Sequence, residues 1–121
     1  VGIGVALKRR NVEAIKGAIQ FDDGNLKAPA FLAKSLADEN RLRILLFISS
    51  GKKSVSRIVE ALDLSQPLVS HHLKELRRAL LVNVERKGPF VYYELADDSI
   101  IDICRQLGTL ASDLLTNRTG F

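Results

Sequence analysis

The side chains of this chain that can do chemistry are few and unevenly spread. Two histidines, His71 and His72, stand side by side in a stretch that also holds Gln66, Ser70, Lys74, Arg77 and Arg78. The one cysteine, Cys104, lies further on in an apolar run. Neighbouring residues on a helix point about 100° apart, so the two histidines cannot grip one ion together. His71 is read as an outward contact and His72 as partly packed. A single thiol forms no disulfide within the chain and no cysteine cluster for a metal, which fits a reducing, cytoplasmic setting. Cys104 is either a small core residue or one half of a redox pair with the Cys104 of a second copy, which requires Cα atoms within about 7 Å. No Ser/His/Asp arrangement at recognisable spacing, no glycine-rich phosphate loop and no metal cluster supports an enzyme, and no cofactor or metal is expected.

The cations offer a different chemistry. Ten basic and four acidic residues between Arg41 and Tyr93 give that segment a charge of +6, while the rest of the 121-residue chain sums to −2. A basic middle between slightly acidic ends suits a polyanionic partner, although solvated charges alone also produce such clusters. The absence of Trp and a 6% aromatic content argue against a carbohydrate or aromatic-cage site. The length fits one domain over 1–121. The opening apolar residues are short and precede Lys8-Arg9-Arg10, the reverse of a secretory signal, and no run approaches the roughly 20 apolar residues of a membrane span, so no membrane partner is expected.

The elements that must position these residues follow from periodicity and caps. Val12, Ile15 and Ile19 predict a helix over 9–20, part of an N-terminal helical extension over 1–30. A second helix follows Pro29 through Phe31, Leu32, Ser35 and Leu36. Asp38 or Asn40 caps a third, with Leu42, Leu45, Leu46 and Phe47 buried and Arg41 and Arg43 outward. Ser54 caps a short helix through Val55, Ile58, Val59 and Leu62. After a tight turn at Asp63-Leu64, Ser65 caps a helix over 65–79. There Val69, Leu73, Leu76 and Leu80 form the packed row, and Gln66, Ser70, His71, Lys74, Arg77 and Arg78 face out. Two strand-prone runs, Leu81 to Glu85 and Phe90 to Leu95, flank Arg86-Lys87-Gly88-Pro89 and predict a β-hairpin with a basic tip at 86–89. A C-terminal helix over 98–116 carries Ile100, Ile103, Leu107, Leu110 and Leu114 in near-heptad spacing, widened by Ile101, Cys104, Ala111 and Leu115.

A helix pair joined by a tight turn, a polar second helix and a basic hairpin is the element order of a winged helix-turn-helix, mainly α with a small β-hairpin. Short polar side chains at the start of the second helix suit base edges, and Lys74, Arg77 and Arg78 suit the phosphates of double-stranded DNA; Arg86 and Lys87 suit backbone or minor-groove contacts. The segments LAKSLADENRLRILLFI (32–48), SQPLVSHHLKELRRALLV (65–82) and RKGPFVYYEL (86–95) resemble the ArsR-type winged-helix repressors, over roughly residues 31–116. The resemblance implies a homodimeric repressor that binds an operator, with the first and last helices forming the dimer interface: Ile15 and Ile19 on one, Ile100, Ile103, Leu107, Leu110 and Leu114 on the other.

Three departures from that family stand out. Asp63 and Leu80 occupy positions where glycine is common; aspartate tolerates a left-handed backbone and leucine does not, so the end of the reading helix is expected to be reshaped or extended. Ser54-Val55-Ser56 replaces a metal-sensing Cys-Val-Cys string, and serine is no substitute for a thiolate toward soft metals. The final helix keeps Asp97, Asp98, Asp102 and Asp113 but holds no histidine to complete the family's other metal site. The expected regulator is therefore not controlled through the usual metal sites, and no residue identifies an effector. The alternative is a winged-helix protein-interaction module without DNA binding.

Overall fold

The computed structural model describes residues 25–117, so the helix expected over 9–20, with Ile15 and Ile19, lies outside the described residues. The chain divides into two compact units, one ending at Lys34 and the other beginning at Ser35, a few residues beyond the expected extension. The elements are α1 (Lys27–Leu36), α2 (Glu39–Ile48), β1 (Lys53–Ser54), α3 (Val55–Leu62), α4 (Gln66–Arg78), β2 (Val82–Lys87), β3 (Phe90–Leu95) and α5 (Ser99–Thr116).

Short polar residues start the helices that carry the site. Asp38 caps α2, its Oδ1 accepting from the backbone N–H of Asn40 at 2.8 Å and of Arg41 at 3.1 Å. Ser54 and Ser65 cap α3 and α4 through the N–H groups of Arg57 and Leu68. Pro67 sits in the first turn of α4, where its missing N–H leaves no helical bond unmade. The core of the second unit is aliphatic: Ile44, Leu45, Ile48, Ile58, Val69, Leu73 and Leu76 are its most deeply buried side chains.

Three expectations need correction here. In α2 the buried residues are Ile44, Leu45 and Ile48, whereas Leu46 is exposed and Leu42 and Phe47 are half-buried. Arg41 and Arg43 point inward to hydrogen-bond acceptors, because a guanidinium can lay its stem over the core while its donors reach a neighbouring helix end. Arg43 Nη2 donates to the Leu62 carbonyl, at the C-terminal end of α3, at 2.9 Å. Ile100 is 8% exposed and packs into the chain's own core, so it is not available to a partner.

The left-handed backbone expected to be tolerable at Asp63 is present, and it is present at Leu80 too, against expectation. Asp63 ends α3 at φ 54°, and Leu80 follows α4 at φ 62°. Helix α4 is neither reshaped nor extended: it stops at Arg78, and Leu80 itself adopts the backbone that glycine favours. The Leu80 N–H bonds to the Arg77 carbonyl and the Leu81 N–H to the Leu76 carbonyl, both at 3.0 Å, the paired bonds of a Schellman stop. Leu81 is buried beside Leu76 in the core, while Leu80 remains 80% exposed.

Strand β2 runs two residues further toward the turn than expected, pairing Arg86 with Val91 and Lys87 with Phe90, while β3 keeps its expected bounds, so the turn is Gly88-Pro89 alone. Gly88 has φ 60°, and proline fixes a negative φ behind it, the combination of a type II′ turn. A third strand, β1, pairs Lys53 with Tyr93 and Ser54 with Tyr92, giving the antiparallel order β1-β3-β2. Two residues carry no periodicity, so nothing in the sequence marked this strand.

Candidate nucleic-acid interface

The amphipathic period of α4 divides it cleanly. Val69, His72, Leu73 and Leu76 are buried, and Gln66, Ser70, His71, Lys74, Arg77 and Arg78 are all exposed. At 100° per residue, Gln66, Ser70, Lys74 and Arg77 share a strip about 80° wide, with His71 and Arg78 on its flank. Arg86 and Lys87 are exposed on β2.

Between the start of α3, the first turns of α4 and the hairpin lies a groove of about 570 Å³. Ser54, Ser56, Gln66, Ser70, Arg86 and Tyr93 are among its lining residues. The structure thus brings Gln66, Ser70 and Arg86 to one surface depression, adding Ser54 and Ser56, which charge and reading-row arguments passed over. The Ser54 and Ser56 hydroxyl oxygens lie 3.2 Å apart.

The basic segment is less free than its +6 suggests. Lys52 and Lys87 both approach the Glu85 carboxylate, at 2.6 Å and 3.6 Å, and the Lys52 hydrogen bond holds that carboxyl below its ordinary range. Arg57 pairs with Glu60 at 3.2 Å and Arg78 with Glu75 at 3.3 Å. Lys53 donates to Ser50 and to the Gly51 carbonyl, and both it and Arg57 lie over the Phe47 ring. Arg41 and Arg43 are bonded internally. Among the described residues of this segment, Lys74, Arg77 and Arg86 are the cations with no intramolecular partner. Exposed ion pairs contribute only about 0–1 kcal/mol, so Arg78 and Lys87 exchange partners cheaply, but the three free cations need give up nothing.

His72 departs from partial packing: it is 4% exposed, in the middle of the buried row. On α5, by contrast, Ile103, Leu107, Leu110 and Leu114 form an exposed apolar stripe, and Leu115 adds to it. Cys104 is half-buried against the core, and burial pushes its thiol pKa up, away from the reactive thiolate. Among the described residues, no three His, Cys, Asp or Glu side chains come together where a metal ion fits, and no helix is long and apolar enough to cross a membrane.

Comparison with known proteins matches this arrangement. Residues 38–84 match the bacterial regulatory protein, arsR family. The arsenic resistance transcriptional regulator ArsR1 of Pseudomonas putida is 40% identical over 79 residues, which cover 62% of this chain and 62% of that protein's own length. The transcriptional activator HlyU of Vibrio cholerae is 35% identical over 89 residues, 71% of this chain and 82% of that protein. The homodimeric winged helix-turn-helix DNA-binding domain from Mycobacterium bovis superposes with a TM-score of 0.70 at 26% identity, covering 86% of this chain and 98% of that domain. These relatives are transcriptional regulators rather than enzymes. With a winged helix-turn-helix whose second helix and hairpin flank one groove, this chain belongs to the arsR family of bacterial regulatory proteins.

Proposed function

We propose that this chain is a homodimeric, sequence-specific DNA-binding transcriptional repressor. It reads the major groove of an inverted-repeat operator with α4 and holds the flanking backbone with β2. The observation that carries this reading is the free cation set: Lys74 and Arg77 on the reading strip and Arg86 across the groove from it, unpaired among the described residues. Gln66, Ser70 and His71 supply hydrogen-bonding groups for base edges, and Arg78 and Lys87 add phosphate contacts after exchanging their carboxylate partners. Dimerisation uses the apolar stripe of α5 at Ile103, Leu107, Leu110 and Leu114. The usual metal control of the family is not part of this reading. Ser54 and Ser56 place hydroxyls where the resemblance expects thiolates, and hydroxyls do not replace them toward soft metals.

Selection of bound duplexes from a random pool by the purified chain tests the reading. The expected product is an inverted repeat whose half-site centres lie about 34 Å apart. Five cations per chain, Lys74, Arg77, Arg78, Arg86 and Lys87, each taking one phosphate in a dimer, predict a slope of about −9 for log affinity against log salt. An unenriched pool or a slope near zero would overturn it. The direction of control is read from a reporter carrying the selected site: expression falls when the chain is supplied.

A further inference from the structure

Packing alone does not explain His72. The other members of the buried row on α4 are Val69, Leu73 and Leu76, and an aliphatic side chain would fill the same position without a polar ring to satisfy. Both ring nitrogens face polar partners instead. Arg41 Nε donates to His72 Nδ1 at 3.2 Å. An accepting Nδ1 fixes the neutral tautomer with its proton on Nε2. That nitrogen faces Asp38 Oδ1 at 3.7 Å, too long for a strong hydrogen bond but close enough for attraction. The same Asp38 oxygen accepts the backbone N–H of Arg41, and Arg41 Nη1 donates to the Ser35 carbonyl at 3.2 Å. Asp38, Arg41 and His72 therefore close a ring of contacts that fastens the middle of α4 to the N-terminus of α2. His72 is two positions from both Ser70 and Lys74, so a roll of α4 at His72 carries the outward strip with it.

We propose that His72 is a positioning residue for DNA reading, a proton-sensitive link that holds the roll of α4 against α2 while its ring is neutral and releases it when Nδ1 takes up a proton. A protonated Nδ1 turns the Arg41 contact into two donors, both cationic, facing each other at hydrogen-bond distance. Either the ring or the guanidinium must leave. The charged or titratable groups acting on the ring are Asp38 and Arg41, from α2 and its cap, and His71, whose ring centre lies 5.4 Å away on α4 itself. Burial, with Arg41 and His71 beside the ring, opposes protonation and outweighs the attraction of Asp38, so the ring titrates below the ordinary imidazole range.

This inference rests on the DNA-reading role proposed above, and its test separates the two. Affinity for a duplex selected at pH 7.5 by the His71→Gln chain is measured by fluorescence anisotropy between pH 7.5 and 5.5 at fixed ionic strength, with His71→Gln in every sample so that one histidine titrates. With His72 present, affinity falls as pH drops, by less than tenfold at pH 5.5 because the ring titrates below the ordinary imidazole range. His72→Asn, whose Oδ1 accepts from Arg41 at any pH, binds more tightly than His72→Leu and loses the pH dependence. A flat profile with His72, or an unchanged slope in His72→Asn, would overturn the proposal. A second readout needs no DNA: the imidazole ¹⁵N shifts of the full chain at pH 7.5 must report the Nε2–H tautomer, with amide shifts at Ser70 and Lys74 following its protonation. An Nδ1–H or charged ring at pH 7.5, or amides indifferent to its titration, sinks the proposal even where no duplex is bound.

Discussion

Leu80 and His72 are both held in surroundings that oppose their chemical type, and each makes a prediction at its own position. Leu80 keeps φ 62° with its side chain 80% exposed, so it bears the left-handed cost without burying anything in return. Leu80→Gly removes a strain of about 1–2 kcal/mol and adds back roughly 0.5–1 kcal/mol of unfolded-chain entropy. We expect a net gain of about 0.5–1 kcal/mol, read as a higher urea midpoint at unchanged slope. The sequence showed that leucine is a poor residue for such a backbone. It did not show that the bonds to Arg77 and Leu76 and the burial of Leu81 would impose that backbone regardless. For His72 the folded ring titrates below its unfolded value, so the unfolded chain binds the proton more readily. The stability this ring confers is complete above about pH 6.5 and is lost as pH falls through the lower folded value. Asp38 acts in a separate window. Burial raises its carboxyl, but the Arg41 and Asn40 N–H groups with the His72 and Arg41 charges more than reverse this, so its contribution is lost only below the ordinary aspartate range. Denaturant midpoints measured from pH 7.5 to 5.5 should drop for the natural chain and stay level for His72→Asn.

At the scale of elements, the helix starts were legible because a cap is a local device. Asp38, Ser54 and Ser65 each precede a periodic run and each caps in the structure through the nearby backbone. Asp38→Ala should cost about 1 kcal/mol for the cap of α2, with Asp38→Asn retaining most of it, as thermal unfolding at pH 7.5 would show. The hairpin was legible from Gly88 and Pro89, although its first strand, β2, reaches two residues further toward the turn than composition suggested. What stayed hidden depends on distant partners. Arg41 and Arg43 carry no sign in their own helix that His72 and the Leu62 carbonyl lie within reach.

For the whole molecule, the near-heptad row on the last helix contained two kinds of residue that spacing alone could not separate. Ile100 enters the core of its own chain, while Ile103, Leu107, Leu110 and Leu114 stay open. The two substitutions therefore act differently. Ile103→Glu with Leu110→Glu should leave a folded monomer by sedimentation and reduce DNA affinity at least tenfold, because one half-site contact must then bind alone. Ile100→Ala should instead lower chain stability by about 2–5 kcal/mol, as expected for a cavity in a packed core. An equal effect of both on sedimentation would contradict the assignment of the stripe.

Ser54 is at once the last residue of β1 and the cap of α3, with no connecting loop between them. Its strand partner, Tyr92, belongs to the hairpin. The hairpin is thus bolted at its base to the start of the helix pair, and the joint has no slack in which to bend. An inserted residue between Ser54 and Val55 would disconnect the cap and slip the strand register in one stroke, whereas the same insertion beside Gly88 would merely lengthen a turn. Amide exchange offers the comparison: the backbone N–H groups of the β1–β3 ladder should exchange only with global opening, well after those beside Gly88.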